Sequence, residues 1–409
     1  MRDMTTRGDG TDDTARDLGV RGARESAAVR GTGWPRTDRW GVLTAVTLFV
    51  VQKAVFLTLL ARSSPMDFSS ALTRWDAQHF LGIVTEGYRV PSAEQPYSNL
   101  AFFPLLPMSA RLLSWVTHLP PRFVLIVLAW AGSLAAVWGI HRFVAAEFGD
   151  KAAVATVLLW GAAPHALVQV FAYTEGVFTA TVAWTLYFVR SRRWTAAAVP
   201  ASAACLTRPS SSVLLVTLAG VALGRQWQLR RRRAPMRQEV PGLMLMLAAP
   251  AACFGAVIAY AGYRTGDPMG YFAIQRRWGS VLGSPWGTWE EIRPYLLSAD
   301  PAMTPYTRDI GVALALGLVL ILLLCLWALW QRRLRAGALF SALVFVLTIS
   351  TLGYPQAKAR FLLPAFPMWM LPGRWIARLP GWFMLLVLAA LTTVSVKLDL
   401  VIALGRWSP

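Results

Sequence analysis

An acid and an imidazole stand three residues apart, directly after the first apolar run of the chain. The segment over 74–88 reads RWDAQHFLGIVTEGY, and a helix there would place Asp76 and His79 on one face. A carboxylate beside a histidine at a lipid boundary can act as a general base, because partial desolvation raises its basicity and a cationic neighbour moderates that effect. The pattern therefore indicates Asp76 and His79 as catalytic residues.

A structural role also fits this segment. The letters TRWD at 73–76 match a capping box, with Thr73 as the N-cap and Asp76 as the third helical residue. The two roles are compatible, because a capping carboxylate can leave one oxygen exposed. From the local pattern alone, both interpretations remain open.

The composition of the chain is that of a membrane protein. Of its 409 residues 56% are hydrophobic and only 15% are charged, whereas about a quarter are charged in a typical soluble domain. Apolar runs recur that are long enough to cross about 30 Å of hydrocarbon. The sequence therefore predicts an all-α polytopic integral membrane protein.

The net charge of +19 is concentrated in short arginine-rich segments between the apolar runs. This distribution is typical of cytoplasmic loops and of contact with anionic membrane lipids, so nucleic acid is not expected as a partner. Residues 1–38 are predicted to be a disordered cytoplasmic tail. Residues 39–409 are predicted to form one membrane domain with roughly eleven transmembrane helices.

The basic loops also orient the chain. With 225–237 and 331–335 in the cytoplasm, residues 62–121 form the first extracytoplasmic loop. Its apolar stretch at 100–119 contains Arg111 and two early prolines, and is predicted to be an interfacial amphipathic helix rather than a span. The protein is thus expected in the cell membrane as a multi-pass protein, with a cytoplasmic N-terminus and an extracytoplasmic active site.

Five further charged residues fall on the same predicted outer side. Ionisable residues at membrane depth are costly unless paired or solvated, and so indicate a site. The cations among them could bind phosphate oxygens through charge-assisted hydrogen bonds. Lys358 and Arg360 could instead reach lipid headgroups. Arg208, in the TRPSS turn, could pair with Glu175 of the preceding turn. The five are Arg74, Glu175, Arg208, Lys358 and Arg360.

No cofactor is indicated. The sequence has neither a phosphate-binding P-loop nor a dinucleotide fingerprint. The three cysteines, Cys205, Cys253 and Cys325, fall inside apolar runs without the spacing of a disulfide or metal site. No metal site is predicted, and metal dependence stays open. If the chain is an enzyme, its donor is expected to come from the membrane.

Several segments together resemble the PIG-V type mannosyltransferases of the GT-C glycosyltransferase superfamily. The first is the RWDAQHFLGIVTEGY segment, followed by LAFFPLLPMSARLL; later come FAYTEGVFTATVAWTLYFVRSRRW, LTRPSSSVLLV and ARFLLPAFP. The likeness extends over about residues 41–370, and its first motif is the most specific. Thr174 departs conservatively from the serine that is common in the family.

The resemblance implies a GT-C-like fold with interfacial helices in the first outer loop. It further implies inverting transfer of mannose from a polyprenyl-phosphate-mannose donor to a hydroxyl of a glycan, lipid or protein. Asp76 would be the base, and His79 would orient it or contact sugar. The substrate-binding residues would be Arg74, Trp75, Phe102, Phe103, Glu175, Arg208, Lys358 and Arg360.

Two other functions remain as alternatives. A lipid or sugar-phosphate transporter or flippase would be expected to have polar residues near the bilayer midplane and broken helices in paired halves. A non-catalytic scaffold subunit would carry a degenerate site. The gathering of polar residues on one side favours chemistry there over passage, and the retained Asp, His, Glu and Arg set argues against a scaffold. The acceptor and the oligomeric state are left open.

Overall fold

The computed structural model describes residues 39–93, 96–231, 238–297 and 304–405. The predicted tail over 1–38 lies outside these ranges. Within them the chain is almost entirely helical, and its strands are the antiparallel pair β1 (Val281–Leu282) and β2 (Thr351–Leu352), in which Val281 faces Leu352.

The α-helices follow one another through the described ranges. The first nine are α1 (Arg39–Ser63), α2 (Phe68–Ala71), α3 (Asp76–Glu86), α4 (Leu105–Thr117), α5 (Pro121–Phe148), α6 (Asp150–Gly161), α7 (Glu175–Arg190), α8 (Trp194–Cys205) and α9 (Ser211–Arg231). The others are α10 (Val240–Thr265), α11 (Gly270–Arg277), α12 (Pro285–Leu297), α13 (Thr304–Trp330), α14 (Arg335–Ser350), α15 (Lys358–Phe361), α16 (Met370–Ile376) and α17 (Gly381–Leu404). Short 3-10 turns occur at Asn99–Ala101, Ala166–Gln169, Arg332–Leu334, Pro355–Ala357 and Phe366–Trp369.

Five helical segments of the described chain are long and apolar enough to cross a membrane, and Leu314–Trp330 is a shorter apolar helix. The five are Arg39–Ser63, Pro121–Phe148, Val240–Thr265, Arg332–Ser350 and Gly381–Leu404. The predicted class, an all-α polytopic membrane protein, is confirmed. The number of roughly eleven spans, which rests on the same length argument applied to every apolar run, stays a prediction.

Small residues bring the central helices α5 and α7 together. A Cβ added to Gly132 would lie 2.8 Å from the backbone nitrogen of Val177, and one added to Gly176 would lie 2.9 Å from that of Ser133. Between helices in lipid, such close approach replaces the hydrophobic driving force available in water. It also fixes the start of α7, where Glu175 is the first residue.

The turn before α7 is buried, although the sequence predicts a turn on the outer surface near 164–176. Non-helical backbone at membrane depth must be covered by protein and satisfied by polar partners. Lys53 donates to the carbonyl oxygens of Gly161 (2.6 Å) and Ala166 (3.3 Å). Ser133 donates to that of Gln169 at 2.5 Å. These partners come from other helices, so the local sequence does not reveal that the turn is covered.

The apolar run at 361–377, predicted as a late span, is not a continuous helix. It is divided into the end of α15, the Phe366–Trp369 turn and α16. The prolines at 364, 367 and 372 remove backbone donors and prevent an uninterrupted helix. The indole nitrogen of Trp160 donates to the carbonyl oxygen of Leu363 at 3.0 Å, and so satisfies part of this irregular backbone.

The amphipathic stretch predicted at 100–119 contains the helix α4. Its large apolar residues are strongly exposed: Leu112 is 61%, Trp115 75% and Val116 59% accessible. This is the exposure expected of an interfacial helix with its apolar face toward lipid. The helix begins only at Leu105, after the prolyl residue at 104.

The first and last long helices each carry a buried charge, and the two charges are of opposite sign. Lys53 of α1 and Asp399 of α17 are 3% and 2% exposed, and their charges interact. Asp399 also interacts with the backbone of Leu167 in the buried turn, against which α17 packs. The pair therefore connects both helices to the segment that leads to Glu175.

Removing Lys53 alone should leave the Asp399 carboxylate buried without a cation. We expect Lys53→Met to destabilise the protein by about 3 kcal/mol, and the double variant Lys53→Met/Asp399→Leu to recover most of that loss. Thermal unfolding in detergent micelles measures both. Lys397→Met, which removes an exposed lysine of α17, is the matched control, and equal effects of Lys53→Met and Lys397→Met would contradict the pairing.

Candidate active site

Helix α3 begins at Asp76, and its start is not the predicted capping box. Trp75 occupies the N-cap position with φ 54°, and no side chain caps the helix. The Thr73 hydroxyl donates instead to the carbonyl oxygen of Ser69 at 2.9 Å. The positive φ of Trp75 turns the chain before α3, so Thr73 cannot reach the first helical N–H groups. The Asp76 carboxylate is therefore free of a capping role.

Trp75 is fixed in this uncommon backbone conformation by its neighbours. Its ring stacks on Phe171, with the two ring centroids 6.1 Å apart. The Arg74 guanidinium also lies 4.2 Å from the centroid of the Trp75 ring. A bulky residue at positive φ is costly and persists only where the surroundings determine it, which is common at functional sites. The conformation directs Asp76 toward Arg360.

Asp76 belongs to a cluster of four charged side chains. Arg360 lies between two carboxylates: its Nη1 is 2.9 Å from Asp76 Oδ2 and its Nε is 3.3 Å from Glu175 Oε1. Glu175 also pairs with Arg208, the alternative that the sequence left open for these two residues. Two acids thus meet two arginines, and the cluster is electrically balanced.

Exposure distinguishes the members of this cluster. The side chains of Glu175 and Arg360 are 1% and 7% exposed, whereas that of Asp76 is 28% exposed. Burial opposes the charge on Arg360, but the carboxylates of Asp76 and Glu175 outweigh it and raise the pKa of the guanidinium. Arg360 is therefore a permanent cation, and Asp76 is the carboxylate of the pair that a substrate can reach.

His79 lies against an aromatic wall one helical turn from Asp76. Its ring stacks on Phe102, with centroids 5.2 Å apart, and meets the edge of Trp278 at 4.9 Å. Burial lowers the pKa of the imidazole, and the Asp76 charge opposes this shift only in part. His79 is consequently neutral at pH 7, and can both donate and accept a hydrogen bond.

Trp278 belongs to this wall, and Tyr354 contacts Trp278. Neither residue was assigned to the site from the sequence. The Trp278 indole N–H donates to the carbonyl oxygen of Ser98 at 2.9 Å, and the Tyr354 hydroxyl donates to the carbonyl oxygen of Trp278. Burial raises the pKa of Tyr354, and the charge of Asp76 adds to the effect. Trp278 follows His79 by 199 positions, so no local pattern could join them.

Lys358 lies apart from the four-charge cluster. The residue is 1% exposed, and its ammonium donates to Thr288 Oγ1 at 2.8 Å and to the carbonyl oxygens of Thr348 and Thr351. Glu291 Oε2 is 3.8 Å away. Lys358 thereby joins α12 to the end of α14. Its predicted phosphate contact stays a prediction, and the observed contacts are those of a positioning residue.

Two other predicted residues also have protein partners away from the cluster. Arg74 donates to the carbonyl oxygens of Ala403 (2.6 Å) and Gly405 (3.0 Å) at the end of α17. Phe103 is 1% exposed, with its ring centroid 5.8 Å from that of Phe254. These contacts are structural, and the substrate contacts predicted for both residues stay predictions.

Within the described ranges, no three His, Cys, Asp or Glu side chains are grouped as a metal site would require. Asp76, Glu175 and His79 can act as acid, base and hydrogen-bonding groups. Their immediate partners are arginines and aromatic rings.

The fold is similar to that of solved structures. The structure of ArnT from Cupriavidus metallidurans bound to undecaprenyl phosphate matches with a TM-score of 0.50 and 16% identity, over 85% of this chain and 63% of that one. The apo structure matches with a TM-score of 0.50 and 17% identity, over 88% and 65%. The fold is shared. The predicted all-α polytopic membrane fold is thus one that ArnT shares.

The chain spans less than two thirds of the length of ArnT, and the identity is low enough that the likeness concerns the fold alone. No family model and no curated protein matches the chain. Membership of the PIG-V type family therefore stays a prediction that rests on the motifs.

The electrostatic link between Asp76 and His79 can be measured directly. We expect His79 to titrate below the ordinary histidine pKa of 6.5, and Asp76→Asn to lower that pKa further, because the neutral amide no longer stabilises the imidazolium. NMR titration of isotope-labelled histidine in detergent micelles, with His79→Gln to assign the signal, makes the measurement. A higher pKa in Asp76→Asn than in the unmodified protein would contradict the proposed geometry.

Proposed function

We propose that the protein is a membrane glycosyltransferase that transfers a sugar from a polyprenyl-phosphate carrier to an acceptor hydroxyl, with Asp76 as the general base. The observation that carries the proposal is the accessible Asp76 carboxylate paired with the buried Arg360. The shared fold with ArnT supports a lipid-linked donor, because that protein binds undecaprenyl phosphate. The motif resemblance supports mannose as the sugar, inversion at the anomeric carbon and the outer membrane face as the location.

Asp76 is suited to accept the proton of the acceptor hydroxyl. Its side chain is 28% exposed, whereas Glu175, the other carboxylate on Arg360, is 1% exposed and has Arg208 as a second partner. A phosphate leaving group is already a weak base, so the reaction needs no general acid. One carboxylate can therefore be sufficient, unlike the acid pair of a typical glycosidase.

Arg360 and Arg208 are proposed to bind the donor phosphate. A guanidinium has five donors in a fork that matches phosphate oxygens. A bound phosphate would compete with Asp76 for Arg360 and loosen their ion pair.

The remaining site residues receive more limited roles. His79, Phe102 and Trp278 form the wall against which a sugar ring could lie, with His79 able to contact a hydroxyl. Glu175 is proposed to position Arg360 and Arg208 rather than to bind sugar, because it is buried between them. Lys358 would position α12. The proposed acceptor is a hydroxyl of a glycan, a lipid or a protein.

Replacing the proposed base should abolish transfer and preserve donor binding. We expect Asp76→Asn to lower the turnover of radiolabelled polyprenyl-phosphate mannose by about 100-fold or more, the usual contribution of a general base. Donor affinity should remain within about threefold, since the amide keeps the size of the side chain. Gln78→Ala, an exposed residue on the same helix, is the control. Near-normal turnover in Asp76→Asn would remove Asp76 from the mechanism.

Replacing the proposed phosphate ligand should have the opposite kinetic signature. We expect Arg360→Ala to weaken donor binding about tenfold or more, with a smaller effect on the turnover of bound donor. Arg360→Lys should recover part of the affinity, because a cation returns without the fork geometry. Equilibrium binding and single-turnover assays separate the two effects, and thermal unfolding confirms that the variants fold.

The control for this experiment is Arg62→Ala, which removes an exposed arginine at the end of α1. Its donor affinity should equal that of the unmodified protein. If Arg360→Ala also retains full donor affinity, the phosphate role of Arg360 is wrong.

A further inference from the structure

A polar cavity lies at the far end of α3, about 13 Å along the helix from Asp76 at a rise of about 1.5 Å per residue. It has a volume of about 450 Å³ and is open on one side. Helices α3 and α4 and the start of α5 form its walls. The lining residues are Val84, Thr85, Arg111, Ser114, Trp115, His118, Leu119 and Pro121.

One face of α4 supplies most of this cavity. Arg111, Ser114 and Trp115 follow the spacing i, i+3 and i+4, which places them in one row along α4, and His118 is the C-cap residue of the helix, with φ 57°. The rest of the helix is largely apolar and exposed. These four residues form the polar row of α4, and they line the cavity.

The polar row is cationic and rich in donors. No carboxylate lines the cavity, and within the described residues Arg111 has no acidic partner. The Ser114 hydroxyl oxygen is buried and has no hydrogen-bond partner there either. Thr85 already donates to the carbonyl oxygens of Leu81 and Gly82, so its hydroxyl hydrogen is occupied. The available donors are therefore Arg111, Ser114 and His118.

Arg111 is placed at the mouth of the cavity by a close backbone approach. Its Nη1 lies 3.0 Å from the point where a Cβ on Gly87 would stand, and Gly87 has φ +85°, a conformation that favours glycine. Gly87 terminates α3. The absence of a side chain at this position leaves room for the guanidinium against the end of the helix.

We propose that this cavity binds the phosphate headgroup of a membrane lipid, separately from the candidate active site. A guanidinium, a hydroxyl and an imidazole without a competing carboxylate match the acceptor oxygens of a phosphate. The exposed Leu112, Val116 and Leu119 beside the cavity provide an apolar surface for the lipid chains. This combination favours a lipid over free phosphate, which would gain nothing from the apolar surface.

The occupant would add a connection between helices that already pack against each other. Its phosphate would lie between the end of α3 and the polar row of α4, and its chains would lie along the lipid-exposed face of α4. The bound lipid would therefore stabilise the placement of the interfacial helix against the helix that carries Asp76.

Lipid binding can be measured on the full chain by native mass spectrometry in detergent micelles. The probes are dioleoyl phosphatidylglycerol and dioleoylglycerol, which share their chains and differ in the phosphate. We expect the phosphate-bearing lipid to bind more tightly, and Arg111→Ala to weaken its binding about fivefold or more. Ser114→Ala should weaken it less, and Arg111→Lys should retain most of the affinity because the charge remains.

Two control variants locate the effect. Arg62→Ala removes another exposed arginine, and Arg360→Ala removes the central cation of the candidate active site; both should leave the affinity for phosphatidylglycerol unchanged. Equal binding of the two lipids, or unchanged binding in Arg111→Ala, would overturn the proposal. Displacement of the lipid by inorganic phosphate alone would also overturn it, because the cavity would then be a site for a free anion.

Discussion

The arrangement of the candidate site depends on one buried guanidinium that is shared by two carboxylates. Arg360 is nearly inaccessible to solvent, and a buried cation is tolerated only when it is paired and hydrogen-bonded. Asp76 arrives from the loop after α1, and Glu175 from the start of α7. Arg360 therefore brings together segments that are distant in sequence, and any conformation that separates one of them would leave a charge buried without compensation.

The placement of Glu175 in turn depends on buried polar contacts deeper in the fold. The turn before α7 is covered by protein, and its carbonyl groups accept from Lys53 and Ser133. Asp399 interacts with the backbone of Leu167 in the same turn, against which α17 packs. The first and last long helices thus determine where α7 begins. The contacts of the charged cluster are therefore supported by a second set of buried charges that has no access to substrate.

The fold class and part of the site could be predicted because their signals are local. Apolar runs and the row formed by Asp76 and His79 are visible within a few helical turns, and the pairing of Glu175 with Arg208 was one of two stated alternatives. Trp278 was missed because its contact with His79 is tertiary, and Tyr354 was missed because it contacts the carbonyl group of Trp278. The capping box was wrong for a related reason: Trp75 adopts a positive φ that stacking on Phe171 supports, and Phe171 is far away in sequence.

The balance of charge in the cluster has a consequence for the proposed reaction. A polyprenyl-phosphate sugar carries one negative charge on its phosphodiester, and the departing polyprenyl phosphate, a monoester, carries nearly two at neutral pH. Asp76 loses its charge when it takes the proton of the acceptor hydroxyl. Negative charge therefore moves from Asp76 to the phosphate while the total hardly changes. Arg360 contacts Asp76, whose negative charge is lost, and is proposed to contact the phosphate, where negative charge accumulates. A fixed cation between them would stabilise the transition state without reorganisation, which is the condition under which electrostatic catalysis is most effective.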